Sequence, residues 1–386
     1  MDASAVAFAS LTLLIALLWL ERSLLRWIRR RIPVCIVVLG TRGKSSVVRL
    51  IAHGLREDGY RVLYKTTGSQ SIVGQVDGTE AIIRRRTLPT PLEQRRVLRD
   101  AARQQADVAV IEAMSIRPES LRAEVSRILD PDVVVVTSIG SDHVADISDP
   151  PAAFANAVPQ AALAIVSAVA PGALTRRFAV RSVRVQKVVV SEADAVPISA
   201  AYEEWGENVA LATSACVAIG APEDVVRRGM ASVVPDVGAL TAWRLSVGGA
   251  RWIAVNAFAA NDPDSTRRVL RRAIDRWRDA GSPVIGILNL RRDRGDRTLQ
   301  WARTLLRDAW PFDRLLLIGH APWGVRRRIL RTLGSQVVFS PAHDPTAAVV
   351  DATAGCPHGG LLFGFGNIGG SGLELVRAWA TEGEAL

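Results

Sequence analysis

Apolar positions along this chain fall into three patterns. The first is one uncharged stretch, Ala3–Leu20, followed by Glu21 and then Arg22, Arg26, Arg29, Arg30 and Arg31. It is just long enough to cross a bilayer as a helix. The arginines on its C-terminal side predict that side to be cytoplasmic. A cleaved signal peptide would carry its positive charge before the apolar run and a cleavage site after it, and neither is present. An interfacial helix or a cap on a partner are the alternatives to a single-pass anchor. Leu24, Leu25, Trp27 and Ile28, set among the arginines, predict an amphipathic juxtamembrane segment.

The second pattern begins at Pro33. Short β-branched runs alternate with stretches of helical periodicity. Strands are predicted at Val34–Leu39, Arg61–Lys65, Val108–Ile111 and Val133–Thr137, with further strands at Leu163–Val166 and Val185–Val190. Helices are predicted from the glycine loop to about Asp58, then at Leu92–Gln105, Pro118–Leu129, Asn208–Ile219 and Glu223–Met230. Ser69–Arg86 is polar and reads as a loop or small hairpin. The third pattern repeats the alternation after the turn Pro235-Asp236-Val237-Gly238. It has strands at Trp252–Val255, Val284–Leu290, Leu315–Ile318, Val337–Phe339 and Leu361–Phe365, and a helix at Asp264–Ala280 capped at Asp264 or Ser265. Strands alternating with helices imply parallel sheets. The expected organisation is α/β throughout: an anchor and basic segment at 1–32, a nucleotide-binding domain at 33–238, and a second Rossmann-like domain at 239–386, joined near Pro235–Ala242.

Within this frame, Val34–Ile51 carries the most specific chemistry. A buried strand leads into Gly40-Thr41-Arg42-Gly43-Lys44-Ser45-Ser46 and then a helix. In that context loop amides and the first helical turn point their N–H groups at an anion. Lys44 supplies a charge for phosphates, and Ser45 a hydroxyl for Mg²⁺. Standard phosphate-loop spacing would put a glycine at Val38, so this is a shorter form. Only three lysines occur in the chain, Lys44, Lys65 and Lys187. A lysine at this position in an arginine-rich chain points to a need for a compact ammonium. Glu112 and His143 each follow a predicted strand. Ligands of parallel sheets gather at the carboxyl ends of strands, so both are candidate metal ligands beside the loop.

Charge and cysteine narrow the partners. The net charge is +10, carried by arginine, and 49% of residues are apolar, ample for a packed core. Such a chain suits an acidic substrate or an anionic membrane face. Nucleic acid is not expected, because the arginines are spread through helices without a recognised motif. Cys35, Cys216 and Cys356 show no zinc or disulfide spacing.

Taken together, Gly40–Ser45, Glu112, Asp142-His143, Asn256–Pro263 and Asp293-Arg294-Gly295-Asp296-Arg297 resemble the motifs of the Mur-ligase superfamily of ATP-dependent amide ligases. Lys65-Thr66-Thr67-Gly68, Phe258–Asp262, Asp293–Arg297 and Gly366-Asn367-Ile368 are similar to strings of one branch, the ligase subunit of poly-γ-glutamate synthases (the CapB/PgsB family). That branch also has a hydrophobic N-terminus. Two points depart from the superfamily pattern. Ser45 stands where threonine is usual, and the surroundings of Lys187 do not match a carbamylated metal-bridging lysine.

The resemblance implies that a carboxylate attacks the γ-phosphate of ATP to form an acyl phosphate, which an amine then captures. It implies Lys44, His143 and Arg294 as catalytic residues. Gly40, Thr41, Arg42, Gly43, Lys44, Ser45, Ser46, Asn256, Asn261, Arg294 and Arg297 would bind nucleotide, and Ser45, Glu112 and His143 would hold Mg²⁺. It further implies glutamate and a growing poly-γ-glutamate chain as substrates, and a multi-spanning CapC/PgsC-like membrane subunit as partner. The expected location is the cytoplasmic membrane, with the catalytic domains inside the cell. Self-assembly, a different amino acid substrate, and a switch or transport ATPase using the same loop stay open.

Overall fold

The computed structural model describes residues 3–68, 70–85, 89–139, 149–189, 196–199, 202–260, 262–320, 322–338 and 344–386. The chain forms two compact units. The first comprises residues 1–199 and 204–234, the second 200–203 and 235–386.

The first unit opens with helix α1 (Ala3–Arg29), strand β1 (Val34–Leu39) and helix α2 (Lys44–Glu57). Strands β2 (Val62–Thr66), β3 (Ile72–Gly74) and β4 (Glu80–Ile82) follow, then α3 (Glu93–Arg103), β5 (Val108–Glu112) and α4 (Pro118–Arg122). After β6 (Val133–Val136) come α5 (Pro150–Ala157), β7 (Leu163–Ser167), α6 (Gly172–Val180) and β8 (Arg184–Val188). Two short strands, β9 (Val196–Ser199) and β10 (Tyr202–Glu204), precede α7 (Gly206–Ala218) and α8 (Glu223–Met230). The main sheet runs β4-β3-β2-β5-β1-β6-β7-β8. Its strands are parallel except for the β3–β4 hairpin at one edge. β1 therefore lies between β5 and β6, neighbours it reaches only by crossovers, and the loop after it opens at a topological switch point.

Two expectations change here. The apolar N-terminal stretch does not end at Leu20 but runs as one helix to Arg29, because no helix breaker intervenes before Pro33. Its first part exposes Phe8, Leu11, Leu14, Leu18 and Trp19, whereas Leu25, Ile28 and Ile32 are buried in the core of the first unit. Arg29 is buried with them. It donates to the carbonyls of Leu129, Asp130 and Ile32 and pairs with Asp132. Leu25, Ile28, Arg29 and Ile32 thus pack on the first unit while Arg26, Trp27, Arg30 and Arg31 stay exposed, the two faces of the expected amphipathic segment. The helix predicted at Pro118–Leu129 is α-helical only to Arg122 and continues as a π-helix from Ala123 to Leu129, closed by Asp130 in the left-handed region (φ 43°).

The second unit contains β11 (Thr241–Val247), β12 (Ala250–Asn256), α9 (Pro263–Trp277), β13 (Val284–Leu290), α10 (Gly295–Arg307), β14 (Arg314–Gly319), α11 (Trp323–Leu333), β15 (Val337–Val338), α12 (Pro345–Thr353), β16 (Gly360–Phe365), α13 (Ser371–Glu382) and β17 (Glu384–Ala385). Its sheet runs β15-β14-β13-β16-β12-β11-β17, parallel from β15 to β12, with β11 and β17 antiparallel at the edge. A core of Trp252, Phe258, Ile287, Leu362 and Trp379 fills one face. The cap of α9 is Asp262, not Asp264 or Ser265. Its carboxylate accepts from the Ser265 amide at 2.9 Å, and Pro263 takes the first helical position, where a missing N–H costs nothing.

Candidate active site

The site grows from the end of β1. All six of its residues are apolar, and Val38 is fully buried and pairs with Glu112 of β5, so the position where a longer phosphate loop would have glycine is still strand. The chain then turns through Gly40 (φ 132°) and Gly43 (φ 75°), both in a region that side chains disfavour. A Cβ on Gly40 would lie 2.0 Å from Thr137 Oγ1, and one on Gly43 2.4 Å from Asn208 Oδ1. The loop is pinned to the end of β6. Thr41 donates to the Ser138 carbonyl through both its amide and its hydroxyl, each at 2.9 Å, and Thr137 donates to Leu39. Helix α2 begins at Lys44 with no side-chain cap, so its first-turn N–H groups face the loop.

Ser45 and Glu112, expected at one site, meet there. Ser45 Oγ donates to Glu112 Oε2 at 2.7 Å, and the Thr67 amide donates to the same oxygen at 2.7 Å. Lys44 Nζ lies 3.0 Å from the Gly40 carbonyl, to which it donates, and 3.9 Å from Glu112 Oε1. The Glu112 side chain is 4% exposed and that of Lys44 21%. Lys44 and Glu112 line a pocket with Gly40, Thr41, Thr67, Gly68, Met114, Ser115 and Phe154, and Ser45 adjoins it through its bond to Glu112. Ammonium, uncapped helix start and glycine cradle suit a polyphosphate. A hydroxyl and a carboxylate converging 2.7 Å apart suit a hard divalent cation. Arg42 stands at the β-bridge to Ser138, and Ser46 lies in the first turn of α2. His143 and Asp142 lie outside the described residues, so the third expected metal ligand has no described position.

In the second unit the expected nucleotide residues behave differently. Asn256 is fully buried. Its amide donates to the Val237 and Ala239 carbonyls at 2.8 and 3.0 Å, and its oxygen accepts from the Phe258 amide at 3.4 Å. Through these bonds Asn256 ties the entry of the unit to the end of β12. Asn261 lies outside the described residues. Arg294 immediately precedes α10, half-buried, and Arg297 donates to Asn367 Oδ1 at 3.3 Å.

Some residues escaped the sequence reading. Asn208, against Gly43, sits in a helix whose apolar pattern gave no warning. Asn289 donates to the carbonyls of Asn367 and Gly369 and binds the turn after β16 to β13; a single asparagine inside the apolar run Val284–Leu290 was the available signal. The cysteines Cys35, Cys216 and Cys356 are free. Burial pushes the Cys35 thiol up to about 12, which leaves it unreactive.

Residues 38–158 match the Mur ligase middle domain, and residues 243–382 match the poly-gamma-glutamate synthase CapB C-terminal domain. The capsule biosynthesis protein CapB of Bacillus anthracis is 31% identical over 291 residues, which span 71% of this chain and 61% of that protein. The PGA synthase CapB of Bacillus subtilis (strain 168) is 27% identical over 365 residues, 90% of each chain. Among solved structures, E. coli FolC in complex with ADP superposes with a TM-score of 0.63 at 17% identity, covering 94% of both chains. Mycobacterium tuberculosis folylpolyglutamate synthase complexed with ADP and AMPPCP gives 0.64 at 16%, covering 96% of this chain and 98% of that one. These two likenesses show the fold. The chain is thus similar to the CapB proteins across both units, with the Mur ligase middle-domain match in the first and the CapB C-terminal match in the second.

Proposed function

We propose that this protein is an ATP-dependent amide ligase that joins glutamate units into poly-γ-glutamate. The observation that carries the reading is the convergence of Lys44, Ser45 and Glu112 on one pocket at the glycine loop, in a chain whose second unit matches the CapB C-terminal domain. A carboxylate oxygen of the acceptor attacks the γ-phosphorus of ATP, the bond to the β-phosphate oxygen breaks, and ADP leaves. The amine of the incoming glutamate then attacks the acyl carbon, expels phosphate and loses a proton. Lys44 and the loop amides stabilise charge on the transferring group. Ser45 and Glu112, with His143 as the third candidate, would hold Mg²⁺, which would supply Lewis-acid polarisation of the phosphoryl oxygens. Arg294 and Arg297 are the second unit's candidates for nucleotide contact.

Helix residues Ala7–Arg29 are long and apolar enough to cross a membrane. We read the exposed part of that helix, before Leu25, as an anchor that leaves the two α/β units on the arginine-rich, cytoplasmic side. A single helix gives a polyanion no route through hydrocarbon. Export of the polymer would therefore require a multi-spanning partner subunit. Membranes containing the full-length chain, supplied with Mg·ATP and amino acids one at a time, test the ligase reading. ADP release should rise with glutamate and be accompanied by polymer. Release that is indifferent to every amino acid would instead favour a switch or transport ATPase.

A further inference from the structure

A row of buried ionic and amide groups lies behind the pocket, outside the machinery described so far. Lys65, on β2, is fully buried, and its ammonium has three neighbours: Glu93 Oε1 at 2.5 Å, Gln94 Oε1 at 2.9 Å and Met114 Sδ at 3.6 Å. Glu93 is held from its other side by Arg85 through two hydrogen bonds of 2.8 and 2.9 Å. The Gln94 amide nitrogen donates to the Glu112 carbonyl at 3.2 Å and to Glu124 Oε1 at 2.6 Å. Glu124 is also fully buried, and it accepts the backbone amides of Met114 at 3.0 Å and Ser115 at 2.8 Å. It sits in the second position of the π-helix.

The placement of the two ends of this row is what matters. Lys65 is two residues before Thr67, whose amide holds the Glu112 carboxylate. Gln94 and Glu124 grip the main chain at Glu112, Met114 and Ser115, the segment that leaves β5 and lines the pocket. Apart from the Arg85 clasp on Glu93, each described polar contact of the row lands on the segment leaving β5 or on a member of the row itself. A fully buried lysine and glutamate are costly, and an apolar filling of the same space is often as stable. A π turn in place of an α turn recurs at functional sites. Burial pushes the Lys65 ammonium down from its usual range, and Glu93 opposes that.

We infer that Lys65, Gln94 and Glu124 are positioning residues. They act through the Glu112 carbonyl and the amides of Met114 and Ser115 to hold the Glu112 carboxylate and the pocket segment 113–116 in register with the phosphate loop. The inference rests on the ligase reading for its activity assay, but not for its structural one.

The test uses the full-length chain in membranes or detergent. Glu124→Gln keeps the volume but turns one carboxylate oxygen into a donor that faces a backbone N–H. Exchange of the Met114 and Ser115 amides with deuterated solvent should then rise at least tenfold. Glutamate-dependent ADP release should fall roughly 10- to 100-fold in kcat, the scale of a misplacement of about 1 Å, with KM for ATP within about threefold and the thermal midpoint nearly unchanged. Lys65→Met gives the second reading in case Glu124→Gln fails to fold: Arg85 still pairs Glu93, so the chain should stay folded though less stable, and kcat per folded molecule should fall by a similar factor. Faster exchange with an unchanged kcat per folded molecule would make the row purely structural and overturn the inference. So would a loss of activity that only follows a loss of folded protein. If the parent shows no glutamate-dependent turnover, the ligase reading fails, and amide exchange with nucleotide affinity still decides whether the row fixes the pocket segment.

Discussion

The carboxyl ends of the two sheets both carry polar residues and use them in opposite ways. In the first unit Lys44, Ser45 and Glu112 converge on a pocket, with short contacts among themselves and to loop backbone. In the second unit Asn256, Asn289 and Asn367 are buried and engage the backbone of neighbouring segments of that unit. Arginines there, Arg294 and Arg297, remain half-exposed. A polar residue after a parallel strand is therefore no guide to ligand contact until its hydrogen bonds have been accounted for. The first edge gathers a glycine turn, an ammonium, a hydroxyl and a carboxylate at one place. The second is a braced set of turns that presents arginines.

The largest effect that can break this contrast is expected at Lys44. Lys44→Ala should lower ADP release by roughly 10²–10³-fold, about 3–4 kcal/mol of transition-state stabilisation, with an unchanged circular dichroism spectrum. Turnover near that of the parent would remove the first edge from the chemistry. Asn256→Ala should do the reverse. Three backbone groups lose a buried partner, so the stability of the second unit should fall by about 1–3 kcal/mol, while nucleotide affinity per folded molecule stays within about threefold. A selective loss of nucleotide binding without loss of stability would return Asn256 to a ligand role.

The N-terminal helix sharpens the comparison at another scale, because its two parts do different work. Removing residues 2–20 should release a soluble chain with the parent's unfolding midpoint. Removing residues 2–32 also deletes Leu25, Ile28, Arg29 and Ile32 from the core, each apolar side chain worth about 1.5–3 kcal/mol. That variant should unfold at a markedly lower temperature. Equal midpoints would show that residues 25–32 lie outside the cooperative core. The smallest effect concerns pH. Burial, aided by Arg56 and Arg49, lowers His53 from 6.5 to about 4. The unfolded chain then binds the extra proton between those values, so stability should fall as pH drops from 6.5 toward 4 and be flat above. Solvent screening at this partly exposed ring holds the effect to about 1 kcal/mol, and His53→Gln should flatten that part of a urea-midpoint profile.

Much of this was legible in the sequence, and the reasons differ by residue. Val34–Leu39 and Val284–Leu290 are uninterrupted apolar runs bounded by polar loops, and their strands match the reading residue for residue. Glu223–Met230 does so as a helix. Gly40–Ser45 declared its turn because two glycines and a lysine stand between an apolar strand and a helical repeat, where an anion-binding turn needs them. What stayed hidden depends on partners distant along the chain. No local pattern shows that Arg29 reaches Asp132, that Asn256 reaches Val237, or that Glu124 captures the amides of Met114 and Ser115. The π turn that carries Glu124 follows from those contacts, while the periodicity of Pro118–Leu129 fits an ordinary helix. Strand β11 was passed over because Thr241–Val247 mixes exposed Arg244 and Ser246 with its apolar positions, as an antiparallel strand near a sheet edge does.

The central claim, that the first-unit site transfers a phosphoryl group to a carboxylate rather than to water, is tested most directly by following oxygen. Acceptor and glutamate, both labelled with ¹⁸O in their carboxylates, should be incubated with membranes of the full-length chain and Mg·ATP, and the released phosphate analysed by mass spectrometry. The account predicts one ¹⁸O in each phosphate released during amide formation, because the attacking carboxylate oxygen leaves with the phosphorus. Phosphate carrying only oxygen from ATP and solvent water would contradict it and identify the site as a hydrolytic ATPase.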